Sequence, residues 1–380
     1  MTLRAARSVA MVVYNDLMHD ARVHREASTL ADAGYLVTVI GVRSSDTPSL
    51  VGWEGIPVVR LDIGTHRSLR LRYARFWRDA YGQLVHMRPD AIHAHDLDAL
   101  LPAWLAAALL AVPLVYDAHE LWTELPSLVG RPLSRGIWRA LAAVLVHRSD
   151  AVITVADGIA RELAKRYGVS PVVLRNLPPR GEPPKPLPLR DMVGCPAATP
   201  LFLYQGSLMS GYGLDRAIAA MERLPGGHLV IIGSGPLGEG LREQARRSSA
   251  SDRISFLPAV PFAELPRYTT AADIGLFLGE SEGLNLQLSL PNKVFEYIAA
   301  GIPLVSTDWP EVGRLVRQYD VGRLVRPGAP IEEIVRAVEA VLDDRESLAE
   351  NCRRAREELV WECDGGRLVE CYHCLPWRHR

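Results

Sequence analysis

Short apolar runs alternate along this chain with longer stretches in which apolar residues recur every third or fourth position. In the first half, runs at residues 9–14, 36–40, 57–61, 91–95, 113–116 and 151–155 predict strands. Periodic stretches at 22–33, at 66–78, after Asp98 and at 135–147 predict the helices between them. Several runs are apolar at nearly every position, as expected of strands covered on both faces in a parallel sheet. The alternation fails at residues 176–200, where prolines dominate and neither period survives, which predicts a semi-extended linker. It then resumes: runs at 201–204, 229–232, 254–257, 274–278 and 302–305 predict a second sheet, with helices at 214–223, after Gly238 and at 291–300, and a last helix at 366–375. The expectation is an α/β chain of two doubly wound, Rossmann-like domains facing each other across a cleft. They are residues 1–178, with the C-terminal helix 360–380 packing back on them, and residues 201–358, joined by a Pro-rich linker, 179–200. In such sheets ligands bind beyond the carboxyl ends of the strands, where Asn15, Asp16, His95, Asp96, Asp117, His119, Glu120 and Asp157 fall.

Composition narrows the partners. With 380 residues, 48% apolar content and a net charge of -1, the chain is long enough for two cores and poorly suited to nucleic acid. Residues 1–178 hold 20 Lys and Arg against 17 Asp and Glu, and the remainder 23 against 27, so the first half is the more basic. The excess concentrates at 66–78, HRSLRLRYARFWR, five arginines without an acid, while Leu69, Tyr73, Phe76, Trp77 and Ala80 recur at helical spacing. The aromatics predict a core face and the arginines a contact with an anionic membrane surface. Five cysteines, odd in number and unevenly spread, fit reduced thiols in a cytoplasmic protein, peripheral on the inner face of the membrane. Cys371-x-x-Cys374 lacks the second pair that a structural zinc site needs. Arg4 and Arg7 lead into an apolar run too short for a secretory leader. The uncharged run 99–116 approaches membrane-spanning length, but Pro102 and Pro113 divide it into a buried helix and a strand.

Candidate chemistry concentrates in residues 279–308. Ser289-Leu290-Pro291 predicts a helix start with Pro in the first turn and a hydroxyl as cap, and Gly301 ends that helix. Unpaired amides and the positive dipole end attract phosphate, Lys293 adds a cation, and Glu296 can accept hydrogen bonds from sugar hydroxyls. This set suits a nucleoside diphosphate-sugar. Gly233 to Gly238 spells G-x-G-x-x-G after a strand, yet Pro236 crowds the turn and no acidic residue ends the next strand, against a dinucleotide cofactor. Asp96-Leu97-Asp98 predicts an N-cap by Asp98 rather than a metal site. His93 and His95 share one strand face without a third placed ligand, which predicts satisfied strand histidines rather than a metal centre.

The segments DLMHDARVHREASTLADAGYLVTVIG from Asp16, HAHDLDALLPA from His93, YDAHELWTE from Tyr116, HRSDAVITVADGIARELAKRYG from His147, LYQGSLMSGYGLD from Leu203, LVIIGSGP from Leu229 and SLPNKVFEYIAAGIPLVSTD from Ser289 together resemble the retaining glycosyltransferases of family 4, glycosyl transferases group 1, over essentially the whole length. The resemblance implies the GT-B fold. It also implies transfer of a sugar, with retained anomeric configuration, from a nucleotide diphosphate-sugar co-substrate on the second domain to a lipid-linked or polysaccharide acceptor on the first. Cell-surface glycan synthesis is the implied setting, with no metal or other cofactor. His119 matches the family's active-site histidine, with Glu120 beside it as a second catalytic candidate. Glu296 matches the second glutamate of the family's E-x7-E motif, which contacts the nucleotide ribose. The implied donor set is completed by Gly206, Ser207, Arg175, Gly233, Glu282, Asn292 and Lys293, and the implied acceptor set is Asp16, Arg22, His95 and Asp96. The sequence departs from the family at Leu288, where the first glutamate is expected and Glu282 lies six residues early, and at Ser207 and Tyr212, which replace two expected cations. These departures keep open a second reading, a GT-B-like protein that binds a nucleotide sugar or glycan without transfer, or a sugar-nucleotide epimerase on the same fold.

Overall fold

The computed structural model describes residues 6–18, 20–43, 53, 55–64, 68–280 and 283–377; Arg4, His66, Arg67 and Glu282 lie outside the described residues. The chain divides into two compact units, Met1–Arg175 with Asp364–Arg380, and Asn176–Cys363. The first is built on β1 (Ser8–Val12), β2 (Leu36–Val42), β3 (Val58–Leu61), β4 (Ala91–His95), β5 (Leu114–Ala118), β6 (Ala151–Thr154) and β7 (Val172–Val173), in the order β3-β2-β1-β4-β5-β6-β7. The second is built on β8 (Leu201–Gln205), β9 (His228–Ile232), β10 (Ile254–Leu257), β11 (Ile274–Phe277), β12 (Leu304–Thr307) and β13 (Gly322–Val325), in the order β10-β9-β8-β11-β12-β13. All the pairings between these strands are parallel. Strand order reverses between β1 and β4 and again between β8 and β11, so each sheet has one switch point where loops splay apart and leave a crevice at the strand carboxyl ends.

Burial follows from the apolar runs. Every residue of β4, β5, β8 and β9 is buried, as a sheet with helices on both faces requires. Phe202, Tyr204, Leu229, Ile231, Ile274 and Val305 anchor the second core. Each predicted strand is present within a few residues. Strands β7 and β13 and the helices Pro310–Tyr319, Ile331–Asp343 and Arg345–Glu358 complete the pattern.

Four expectations change. The helix expected to open with Pro291 in its first turn runs Asn292–Ala300 with Pro291 as its N-cap residue, and no side chain caps it. The Ser289 hydroxyl instead donates to Leu286 O at 3.0 Å, closing the short helix Leu284–Leu288 that interrupts the expected loop. The helix expected to open at Asp98 runs Asp96–Leu110 with His95 as its N-cap residue, which makes Asp98 a buried first-turn residue. The Pro-rich linker packs onto the second unit: Leu187 N donates to Arg267 O at 3.0 Å, Leu189 is buried, and Arg190 pairs with Asp273 at 2.5 Å. The last helix, Trp361–His373, starts earlier than its spacing suggests and crosses from one unit into the other at Asp364.

Candidate active site

The switch point of the first sheet gathers a buried polar network. Helix Ala21–Asp32 is capped by Asp20, whose carboxylate accepts from Val23 N at 3.0 Å and from Asn15 Nδ2 at 2.7 Å. One turn in, Arg22 is buried and donates Nε and Nη2 to the two oxygens of Asp117 at 2.8 and 2.9 Å, and Nη1 to Leu174 O at 2.7 Å. A fork-on-carboxylate pair of this kind fixes both partners. The guanidinium of Arg22, implied above as an acceptor contact, is the strut that holds Asp117 at the end of β5. Asp117 Oδ2 in turn lies 3.1 Å from His119 Nε2, which is also 3.1 Å from His95 Nδ1. On the other side of the ring, His119 Nδ1 is 3.6 Å from Asp96 Oδ2, and His119 N donates to Asp96 Oδ1 at 3.0 Å. Asp96 takes a left-handed backbone (φ 63), which lets its carboxylate turn back toward His119.

Charge follows from this geometry. Burial would lower the His119 pKa, but the Asp96 and Asp117 carboxylates outweigh it and push it up to about 10. The ring is therefore an imidazolium at neutral pH, partly open to solvent at 18% exposure. Asp117 is held well below the usual carboxylate range, because Arg22 and His119 outweigh its burial. Burial raises Asp96 to about 6 against the pull of His119.

Behind this pair lies a second layer that sequence reasoning missed. His93 and His95 stack with ring centroids 4.4 Å apart, His93 Nδ1 is 2.9 Å from the Tyr372 hydroxyl on the last helix, and His93 Nε2 is 3.7 Å from Glu26 Oε2. Donor atoms of Glu26, His93, His95 and Asp117 lie within 4.8 Å of one another, so the strand histidines do have further ligand atoms beside them, contrary to the expectation from β4 alone. Arg22 stands in the same group, 3.0 Å from Glu26 and 2.8 Å from Asp117, and supplies the positive charge there. The i,i+4 spacing of Arg22 and Glu26 was the available signal. Asp16 sits half-exposed in the loop after β1, with Oδ1 accepting from Met18 N at 3.1 Å, and Glu120 lies half-exposed beyond His119.

In the second unit the switch point carries a cation. Lys293 is buried in the first turn of Asn292–Ala300 and donates from Nζ to the Tyr204 hydroxyl at 3.1 Å. Its Nζ stands 4.2 Å from the ring centroid of Tyr204, 4.6 Å from Tyr212 and 5.4 Å from Phe277. Tyr212, found where a cation was expected, thus supplies a π face to the cation that remains. Burial brings the Lys293 pKa down to about 7, with only Glu296 opposing. The loop after β8 passes directly over the ammonium: a β-carbon at Gly206 (φ 123) would stand 3.2 Å from Nζ. One at Gly233 (φ 153) would stand 1.9 Å from Gly206 O, so Gly233 has no room for a side chain and Gly206 disfavours one through its backbone angle. Ser207 and Asn292 are exposed beside this point. Glu296, one turn on, accepts from Gln205 Nε2, whose Oε1 accepts from the Thr269 hydroxyl at 2.8 Å.

Arg175, implied as a donor contact, holds Asp364 with Nε and Nη2 at 3.0 and 2.9 Å within the first unit. Glu282 lies outside the described residues.

Residues 21–178 match the model of Glycosyltransferase Family 4 and residues 190–358 that of Glycosyl transferases group 1. The chain belongs to the group 1 glycosyltransferases. This glycosyltransferase is 28% identical over 370 residues to a glycogen synthase of Mycobacterium tuberculosis, covering 90% of this chain and 86% of that protein. Its fold is shared with sucrose-phosphate synthase from Thermosynechococcus elongatus, with a TM-score of 0.80, 18% identity and coverage of 97% and 98%. It is shared equally with Anabaena HepE, solved in complex with UDP-glucose, with a TM-score of 0.77, 17% identity and coverage of 97% and 100%. Both domains of the GT-B glycosyltransferases are therefore present. Among the described residues, no helix is long and apolar enough to cross a membrane.

Proposed function

We propose that this glycosyltransferase moves a sugar, with retained configuration and without a metal, from a nucleotide diphosphate-sugar to a lipid-linked or polysaccharide acceptor in cell-surface glycan synthesis. The observation that carries the donor half is Lys293, a cation buried among aromatic rings at a helix N-terminus, with Gly206 of the loop after β8 lying over its ammonium. Burying an ammonium in such surroundings is costly, and a diphosphate laid over Gly206 and Ser207 would remove that cost by giving the charge its counter-ion. In this reading Glu296 accepts from the ribose and Asn292 donates to a phosphate oxygen. HepE, with UDP-glucose bound, is a neighbour in fold and lends support to that class of donor.

In the reaction, the bond from the anomeric carbon to the diphosphate oxygen breaks while the acceptor oxygen bonds to the same face of that carbon. The acceptor proton passes to the departing phosphate oxygen. His119, already an imidazolium between two carboxylates, is no base for that proton; it serves as a fixed donor that orients the transferring sugar and stabilises charge as the bond breaks. Asp16, His95, Asp96 and Glu120 remain the acceptor-side and catalytic candidates around it.

The test is a panel of UDP-, GDP-, dTDP- and ADP-sugars, reading nucleotide release with and without a glycan or lipid-linked acceptor. One donor class should release nucleotide and Lys293→Ala should abolish its binding in titration calorimetry. A donor that binds and is never turned over with any acceptor would make this a binding protein, the reading favoured by Leu288, Ser207 and Tyr212. The arginine-rich helix Leu69–Met87 extends the proposal to a peripheral position on an anionic membrane: its aromatics face inward, with Tyr73 4.8 Å from Tyr14 and Phe76 buried, while Arg70, Arg75 and Arg78 are exposed.

A further inference from the structure

We propose that the outward face of helix Pro132–Leu145 seats in the interface of an anionic lipid bilayer. This deepens the membrane reading above, rests on it, and moves its centre from the arginine helix to a different element. The helix is apolar on two sides. Trp138, Ala142 and Leu145 turn inward, where Trp138 meets Tyr73, Trp77 and Trp122 with ring centroids 5.5, 6.4 and 5.5 Å away. Leu133, Ile137 and Val144, spaced by four and seven residues and so on one face, turn outward and are 83%, 61% and 45% exposed. Exposed Ala140 and Ala143 fill the stripe between them, Val129 precedes it in the loop, and Leu105 and Leu109 are exposed on the neighbouring helix Asp96–Leu110. Single exposed apolar residues are ordinary; a continuous apolar stripe along three turns, with branched side chains at Leu133, Ile137 and Val144, marks a surface that something covers.

The charges say what covers it. Residues 129–148 contain Arg131, Arg135, Arg139 and Arg148 and no acid. Among the described residues the carboxylate they pair with is Glu124, shared by Arg135, Arg139 and Arg166, so three guanidinium groups meet one acid there. Arg148 stacks over Trp104 at 5.3 Å on the flank. A second copy of this chain docking by a two-fold axis would set these arginines against themselves. Lipid answers both features at once: branched side chains enter between acyl chains while the guanidinium groups lie at the depth of the phosphates, as in interfacial amphipathic helices. The ring contacts from Trp138 to Tyr73 and Trp77 join this helix to Leu69–Met87, whose exposed Arg70 and Arg75 add positive charge to the same unit.

Flotation with vesicles of phosphatidylglycerol and phosphatidylcholine, beside phosphatidylcholine alone, tests this on the full chain. Wild type should float with the anionic vesicles and lose binding as salt rises. Leu133→Ser with Ile137→Ser should reduce the partition coefficient about tenfold or more, with Tm and nucleotide release from the donor unchanged. Arg131→Gln with Arg148→Gln should weaken binding and flatten its salt dependence. If Arg70→Gln with Arg75→Gln abolishes flotation while the Leu133 and Ile137 substitutions leave it intact, the face proposed here is wrong and the broader membrane reading stands. If wild type does not float at all, both fall. A dimer in sedimentation equilibrium that the Leu133 and Ile137 substitutions dissolve would replace lipid by a second copy.

Discussion

Protonation at His119 and at Lys293 is decided by the same contest between burial and neighbouring charge, with opposite winners. Two carboxylates within 3.6 Å keep the histidine charged, whereas the lysine has aromatic rings and a hydroxyl around its amine and comes down to about 7. Each makes a prediction. Truncation by His119→Ala removes a donor aimed at the reacting sugar, so turnover should fall about a hundredfold or more while donor affinity changes little. A buried structural histidine would show the converse, a lower Tm with full turnover per folded molecule, and both readings can be taken from one preparation. Lys293→Met keeps length and apolar volume but deletes the charge that the empty site must bury. The unliganded variant should be more stable than wild type at pH 6 to 7, by about 2–4 °C in Tm per kcal/mol recovered, while losing nucleoside diphosphate binding in calorimetry. A destabilised variant with normal binding would remove Lys293 from the donor site.

Among the elements, the strands were legible because nearly every residue in them is apolar, and His119 and Lys293 were legible because each follows a strand or opens a helix at a carboxyl edge. What the pattern could not supply was pairing at long range. Arg22 is bound to Asp117 ninety-five positions away, and His93 meets Tyr372 at a separation of 279; no local period encodes either. For that reason the sequence shows Arg22 and Arg175 only as candidate ligand contacts, while the fold adds an internal carboxylate partner to each. Helix starts were misjudged at Pro291 and Asp98 for a related reason, since the competing partner, Leu286 O for Ser289, becomes visible only once the preceding turn has formed. Loops over the cation site were legible as glycines and not as geometry. Gly233→Ala would place a β-carbon 1.9 Å from Gly206 O and force the β8 and β9 loops apart, so Tm should drop and donor affinity fall together. Gly240→Ala, in helix Gly238–Arg247 with nothing within 4 Å, is the control and should stabilise by about 0.5–1 kcal/mol at unchanged activity. Equal effects at the two positions would show that the loop contact is not what constrains Gly233.

For the molecule as a whole, these titrations fall in different units and give them opposite responses to pH. In the first unit, the folded pKa of His119 stands at about 10 against an unfolded value near 6.5, so its contribution is complete below about 6.5 and is lost as pH rises toward 10. Glu26 and Asp98, raised by burial, lose stability in the same direction. In the second unit, Lys293 at about 7 against about 10.5 unfolded binds fewer protons folded than unfolded between those values, so that unit gains stability as pH rises. Buried thiols such as Cys352, pushed up to about 12, bring losses only above about 9, the ordinary thiol value. Between pH 7 and 9, calorimetry of the unliganded protein should therefore resolve two transitions that move in opposite directions, each by no more than about 1.4 kcal/mol per pH unit for each titrating group. The assignments are separable: His119→Gln should flatten the falling transition alone, and Lys293→Met the rising one alone. Saturating nucleoside diphosphate should supply Lys293 with an anion, raise its pKa, and abolish the rise in the second transition while leaving the first untouched. Two transitions that fall in parallel would mean that the amine stays charged in the empty site, held there by the aromatic cage without an anion; a rise that survives in Lys293→Met would assign it to another group.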